Sequence, residues 1–374
     1  MNSSLYIHIP FCRRRCLYCD FYSTIHDIDT AKRYIDVIAQ QIDALEGGFS
    51  TAYIGGGTPT VLENDILSGL LKSVKKVVTP GAEWTVEANP DSLDDQKLSL
   101  MRECGVNRLS IGVQSLKEEK LKRLGRIHGV RKAVESIDLA AKKGFSNISI
   151  DLIFGVWGEN LESWQTELEE ATALPATHVS CYQLTYEKGT PLFEAMKNKS
   201  VVPLDDDTVA EMYACAIDKI SVRGFEQYEV SNFARANFQC RHNLNYWNND
   251  PYAGIGASAV SYVDGVRQSN VSDVKEYIKR YDEGRSLVAS SEKLDPVRSA
   301  KETAAVKIRT KGGIDFAWFK EKTGFDLLEL EKKALPKLID QGLIKYTRAG
   351  QSVTGIRLNR QGFLFCDTVS SELL

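Results

Sequence analysis

Leu5-Tyr6-Ile7-His8-Ile9-Pro10-Phe11-Cys12-Arg13-Arg14-Arg15-Cys16-Leu17-Tyr18-Cys19 joins a short strand to a cysteine loop. The first five residues alternate apolar and polar side chains, the period of a strand with two unlike faces. Three cysteines then follow at spacings of four and three positions, so one loop presents three thiolates to a compact inorganic centre. Arg13, Arg14 and Arg15 keep that loop electropositive and wet, which argues against cysteines packed for their apolar character. Three protein ligands on a four-iron cube leave one iron open. A structural zinc ion wants four closed ligands, the fourth coming from His26, Asp20 or farther away, and spacing alone leaves that alternative standing.

Outward from this loop, helical and strand periods alternate. Tyr34, Ile38, Ile42 and Leu45 share one helical face. Further strands are expected near Thr51 to Ile54, Glu83 to Glu87, Arg108 to Val113, Asn147 to Ile153 and His178 to Leu184. Helices are expected over Ile66 to Val77, Asp95 to Cys104, Val130 to Lys143, Leu161 to Ala173 and Asp207 to Val222. Six strand-helix units predict an α/β fold with a parallel sheet, open or closed into a barrel, and a site where the strands end. Polar residues fall at those ends. Glu87, Gln114 and Asp151 close the third, fourth and fifth strands, and Gly55-Gly56-Gly57-Thr58-Pro59 follows the second. The carboxylates could receive an ammonium, a sulfonium or ribose hydroxyls, and the glycines would let a ligand approach the backbone. Taken singly, each acid reads equally well as a solvated strand end and the glycine run as a turn.

Composition narrows the function classes. The 374 residues are 43% hydrophobic and 26% charged, enough for one large core and a smaller one. Lys and Arg number 47 against 50 Asp and Glu, so no chain-wide attraction to nucleic acid or anionic lipid is expected. No apolar run is long enough for a transmembrane segment, and no secretion signal is recognised, so the expected location is cytoplasmic. Thiols stay reduced there, which makes a close group among eight cysteines a metal or redox candidate. Phe225 to Asn270 breaks the strand-helix period. From Leu294 a mostly helical segment follows, with helices around Ala300 to Arg309 and Leu327 to Gln341 and strands at Leu343 to Tyr346 and Gly355 to Leu358. That order is winged-helix-like; a packing or lid domain explains it better than DNA binding.

The cysteine spacing after the first strand of a βα repeat, with aromatic Tyr18 before the last cysteine, resembles the radical S-adenosylmethionine (radical SAM) superfamily. Tyr6 to Cys12, Gly55 to Pro59, Gly105 to Ser115, Leu124-Gly125-Arg126-Ile127-His128, Asp151 to Gly155 and Tyr228 to Ala234 resemble its coproporphyrinogen III oxidase-like (HemN/HemW) family across nearly the whole chain. The resemblance implies a partial (β/α)6 barrel in residues 1–225, a linking region in 226–293 and a small HemN-type C-terminal domain in 294–374. It implies a [4Fe-4S] cluster on Cys12, Cys16 and Cys19. It also assigns S-adenosyl-L-methionine positions to Tyr6, Gly57, Thr58, Glu87, Gln114, Arg126 and Asp151.

Two features separate the family's branches. Position 21 is Phe, where the oxidase branch carries an additional cysteine, and His242-Asn243-Leu244-Asn245-Tyr246-Trp247 matches the HNxxYW signature of the heme-chaperone branch. Imidazole is a common axial ligand of heme iron, and Tyr246 and Trp247 offer flat apolar faces to a porphyrin. The resemblance therefore implies heme contact at His242, with Cys240 nearby as an additional sulfur that no spacing requires. His8 and His178 read as strand residues, and no role follows for His128. The expected partners are heme, acceptor hemoproteins including membrane-bound heme enzymes, and an electron donor for the cluster. Oxidative decarboxylation of coproporphyrinogen III is the enzymatic alternative. Oligomeric state stays open, a homodimer shielding the cluster loop being compatible with the pattern.

Overall fold

The computed structural model describes residues 4–374. Six strands, β1 (Ser4–Ile9), β2 (Phe49–Gly56), β3 (Val78–Ala88), β4 (Arg108–Gln114), β5 (Asn147–Phe154) and β6 (His178–Gln183), lie side by side in chain order, every neighbouring pair parallel. Each is followed by a helix: α1 (Ile28–Asp43), α2 (Asn64–Val77), α3 (Asp95–Cys104), α4 (Val130–Lys142), α5 (Leu161–Ala173) and α6 (Asp206–Ser221). Helix starts are set locally. Asp27, Asp94, Asn160 and Asp205 each accept a hydrogen bond from a first-turn backbone N–H, satisfying donors the helix itself leaves unpaired.

The strands carry two unlike faces. Leu5, Ile7 and Ile9 of β1, Ala52 and Ile54 of β2, Trp84 and Val86 of β3, and Leu109 and Ile111 of β4 are buried in one core with Ala31, Tyr34, Ile38 and Ile42 of α1. Alternating positions turn inward and are polar: Glu83, Thr85 and Glu87, then Arg108 and Ser110, then Ser149 and Asp151. Parallel strands usually read as continuous apolar runs because both faces are buried. Here the inner face is polar, which is why the strands are legible by period two.

Beyond the six, the sheet extends at both edges to twelve strands. β7 (Glu226–Gln227) and β8 (Asn232–Ala234) add antiparallel beyond β6. After α7 (Arg241–Trp247) the chain returns to the opposite edge, where β9 (Tyr252–Ile255) pairs with β1 in parallel. Antiparallel β10 (Val260–Val263), β11 (Val266–Asn270) and β12 (Val288–Lys293) follow. The expected break in the strand-helix period thus contains a seventh parallel strand.

The last segment runs α8 (Pro296–Lys307), β13 (Ile314–Asp315), α9 (Phe316–Thr323), α10 (Ala334–Asp340), β14 (Ile344–Ala349) and β15 (Ser352–Leu358). Its three strands form a separate antiparallel sheet in the order β13-β15-β14. This is winged-helix order. The single expected helix over 327–341 is two, Leu327–Leu330 and then α10. Among the described residues no helix is long and apolar enough to cross a membrane.

Candidate functional site

A cavity of about 470 Å³ opens at the C-terminal ends of the parallel strands, and Cys12, Cys16 and Cys19 all line it. Their loop is pinned along its length. Phe11–Cys12 pairs with Thr24–Ile25, Leu17 N–H donates to Leu124 O at 3.3 Å, and Leu192 N–H donates to Leu17 O at 3.0 Å. Cys12 Sγ lies 3.6 Å from Thr58 Oγ1, and Cys16 Sγ accepts from Arg126 Nη1 at 3.3 Å. Arg126 is fixed in turn by Asn89 Oδ1 at 2.6 Å and Gly112 O at 2.8 Å. Burial pushes the Cys19 thiol up to about 11 and raises that of Cys12; a cation bound among them would reverse that preference for the neutral form. Among the described residues no three His, Cys, Asp or Glu side chains gather tightly enough for a single metal ion. Of the two nearby zinc candidates, His26 is engaged by Glu63 at 3.1 Å, while Asp20 lines the cavity.

The glycine run after β2 serves the protein before any ligand. A side chain at Gly55 would meet the Glu87 carboxyl at 2.6 Å, one at Gly56 the His8 ring at 2.4 Å, and one at Gly57 the Ile9 and Phe11 backbone at 2.7–2.9 Å. Gly57 N–H donates to Ile9 O, and Thr58 N–H to Phe11 O. The expected open space is thus filled largely by Glu87, His8 and the root of the cysteine loop, although Gly56, Gly57 and Thr58 still line the cavity.

Glu87, Gln114 and Asp151 line the same cavity. Tyr53 Oη donates to Glu87 at 2.7 Å and Gly56 N–H at 3.0 Å, yet burial still pushes the carboxyl up to about 7. Burial likewise raises Asp151, which accepts from Ser110 Oγ at 3.4 Å. Gln114 sits at a register shift between β4 and β5 with φ at +66°, a left-handed conformation that non-glycine residues enter at a cost and that aims its side chain off the strand's regular alternation. Sequence reasoning missed Tyr53 and Asn89. Asn89, two residues past Glu87, anchors both Arg126 and Thr58.

Tyr6 stands one layer below. Its hydroxyl meets His8 Nδ1 at 3.0 Å and its ring lies 6.3 Å from that of Tyr53, so it touches the cavity wall from behind. His242 lies behind the same wall. It is 1% exposed, and its Nδ1 and Nε2 bond to Thr51 Oγ1 at 2.8 Å and Tyr246 Oη at 2.9 Å. Its ring stacks on that of Tyr53 at 5.2 Å, and Tyr53 lines the cavity, so His242 backs the cavity wall from the N-terminal side of the sheet without reaching the cavity itself. Helix α7 plugs the lower end of the barrel. Buried Glu83 accepts from Arg241 N–H and His242 N–H at 3.0 Å and from Cys240 Sγ at 3.4 Å. Cys240 is buried and its thiol is pushed up to about 12 by that burial. His8 and His178 are buried strand residues; His128 bonds Val113 O at 3.0 Å.

Parallel βα units with a cysteine loop over their C-terminal ends make the architecture of a radical SAM protein, and residues 6–171 match the Radical SAM superfamily. The chain is 35% identical to heme chaperone HemW of Bacillus subtilis (strain 168), covering 99% of both chains. It is 38% identical over 275 residues to heme chaperone HemW of Escherichia coli (strain K12), covering 70% of this chain and 71% of the relative. The structure of coproporphyrinogen III oxidase HemN from Escherichia coli superposes with a TM-score of 0.85 at 21% identity, over 100% of this chain and 90% of that one, which shows a shared fold. The chain belongs to the HemW family of the radical SAM superfamily. Membership of the superfamily implies a [4Fe-4S] cluster and S-adenosyl-L-methionine.

Proposed function

We propose that this protein is a cytoplasmic heme chaperone: it holds a four-iron cluster and S-adenosylmethionine at the barrel mouth, binds heme, and delivers it to acceptor hemoproteins. One observation carries the cofactor part. Cys12, Cys16 and Cys19 and the strand-end residues Glu87, Gln114 and Asp151, contributed by four successive parts of the chain between residues 12 and 151, all line one cavity. Three thiolates with no fourth sulfur in that cavity suit a cube that keeps one iron open better than a closed zinc site.

When bound, the reduced cluster supplies one electron to the sulfonium of its nucleotide partner. The chain's own residues hold and orient. Cys12, Cys16 and Cys19 would hold the cluster, and Arg126 Nη1, which donates to the Cys16 sulfur, would offset charge there. Glu87 and Asp151 receive the ligand's cationic groups and hydroxyls, Gln114 bridges hydroxyls, and Gly57 with Thr58 keeps the floor narrow. Tyr6 supports this wall from beneath through Tyr53. In this division the residues up to 225 form the cofactor barrel, 226–293 carry the heme segment while adding strands to the sheet's two edges, and 294–374 cover that segment.

Support for heme comes from the names of the HemW relatives and from the segment His242 to Trp247. Because both imidazole nitrogens are engaged, His242 would be free to hold heme iron only once Tyr246 Oη left Nε2. The HemN likeness extends to the fold alone, and Phe21 occupies the position of that branch's additional cysteine. The test is an anaerobic heme titration of wild type and His242→Ala, alongside iron and sulfide analysis of the Cys12, Cys16 and Cys19 triple Ala variant. Lost heme affinity in the first and lost iron in the second are expected. Unchanged heme stoichiometry and affinity defeat the heme assignment, and full iron content defeats the cluster assignment.

A further inference from the structure

Helix α7 is held at its two ends by contacts of different kinds. At its start, buried Glu83 accepts the N–H groups of Arg241 and His242. At its end, the C-terminal segment grips the turn that follows. Lys307 Nζ donates to Asn248 Oδ1 at 2.7 Å, Asn249 Nδ2 donates to Thr303 Oγ1 at 3.0 Å, and Lys322 pairs with Asp250. The Lys322–Asp250 pair is 25% and 35% exposed, so salt screens it, whereas the Glu83 anchor is sheltered.

The closed junction also leaves polar atoms without partners. Among the described residues, Trp247 Nε1, Arg309 Nε and Glu229 Oε1 are buried without a hydrogen-bond partner. They belong to one place: the Arg309 guanidinium lies 5.5 Å from the Trp247 ring, and Glu229 forms a β-bridge with Thr310. Folded proteins leave few such atoms unsatisfied, and three at one junction mark where the closed arrangement is least well satisfied.

We propose that residues 294–374 latch α7 shut, so that heme reaches His242 only after the α7–α8 junction opens. This rests on the heme reading above and adds its control. Opening lets α7 swing about the Glu83 anchor, Tyr246 leave His242 Nε2, and Trp247 and Arg309 find partners. A flat indole beside a guanidinium suits a planar ring that carries carboxylates.

The experiment is anaerobic stopped-flow binding of ferric heme to the full chain, with amide hydrogen exchange of residues 241–250 measured in parallel. Lys307→Gln/Lys322→Gln is expected to bind heme about fivefold faster, the gain from loosening two exposed or half-buried cationic contacts. Its exchange at 241–250 should quicken, and wild-type association should accelerate with salt, a readout that needs no variant. Unchanged association in the variant, with no salt dependence and unaltered exchange, overturns the latch. If His242→Ala has meanwhile lost heme, the latch alone falls; if His242→Ala binds as wild type does, the heme reading falls and the latch with it.

Discussion

Lys120 offers the sharpest test of how the barrel positions its mouth. Its ammonium is 4% exposed and lies 2.5 Å from Glu159 and 2.8 Å from Glu167, carboxylates that are 2% and 0% exposed. Ser115 Oγ and Leu116 N–H also donate to Glu167. The triad therefore fixes helix Glu118–Leu124, which lies between Gln114 and Arg126 and whose last carbonyl holds Leu17 of the cysteine loop. At an effective dielectric of 20, each contact is worth about 6 kcal/mol of Coulomb attraction, most of it offset by desolvation. Removing only the cation leaves two buried carboxylates facing each other, so Lys120→Met should cost about 3–5 kcal/mol, a large part of a typical stability of about 5–15 kcal/mol. Burial already raises the Glu159 carboxyl against the pull of Lys120, and the variant raises it further. With the folded pKa above the unfolded one, the folded state binds more protons, so stability falls as pH rises between the two values. The deficit should therefore be larger at pH 8 than at pH 5. Urea denaturation followed by tryptophan fluorescence is the assay, since Lys120 Nζ lies 4.7 Å from the Trp164 ring. The neutral triple variant Lys120→Met/Glu159→Gln/Glu167→Gln should recover most of the loss. A deficit below about 1 kcal/mol at pH 8, or one equal at both pH values, refutes the reasoning.

Three further outcomes follow from the site. Gly57→Ala drives a methyl into the Ile9 and Phe11 backbone, so reconstituted protein should hold less than half the wild-type iron and sulfide; full incorporation would show that the loop can yield. Glu87→Gln should weaken S-adenosylmethionine binding about tenfold, the worth of one charge-assisted hydrogen bond. Because burial pushes the Glu87 carboxyl up to about 7, wild-type affinity for this cationic ligand should rise between pH 6 and pH 8 and the variant's rise should be smaller; parallel pH profiles by calorimetry would contradict that. Glu83→Gln should destabilise the chain by about 1–3 kcal/mol and quicken amide exchange at Arg241 and His242, whose N–H groups lose their anionic acceptor; exchange as slow as wild type would count against the plug.

Much of this was legible in the sequence, for identifiable reasons. All six strands could be placed because a polar inner face and an apolar outer face alternate at each; Cys12, Cys16 and Cys19 stood out by their spacing, and the meeting of Glu87 and Asp151 at one cavity could be expected because strand ends converge in such a sheet. Strand β9 could not. Tyr252 to Ile255 is four residues with no period of its own, and it becomes a strand by pairing with Ser4 to Ile7, nearly 250 positions earlier. The meeting of His242 with Thr51 is equally non-local, so burial of that imidazole was invisible to a reading that saw only its neighbours. The glycines at 55 to 57 were recognisable as a close approach, but sequence could not say that what approaches is Glu87, His8 and the first strand.

The two outermost strands bear on how copies of the chain meet. An incompletely closed sheet offers free backbone groups at its margins, an invitation to edge-to-edge polymerisation. Here one margin is only two residues long, Glu226–Gln227, and the other, Val288–Lys293, is solvent-facing and finishes in a glutamate and a lysine. Neither provides a long, flat, greasy template, so growth of the twelve-stranded sheet stops at the molecule's own boundary.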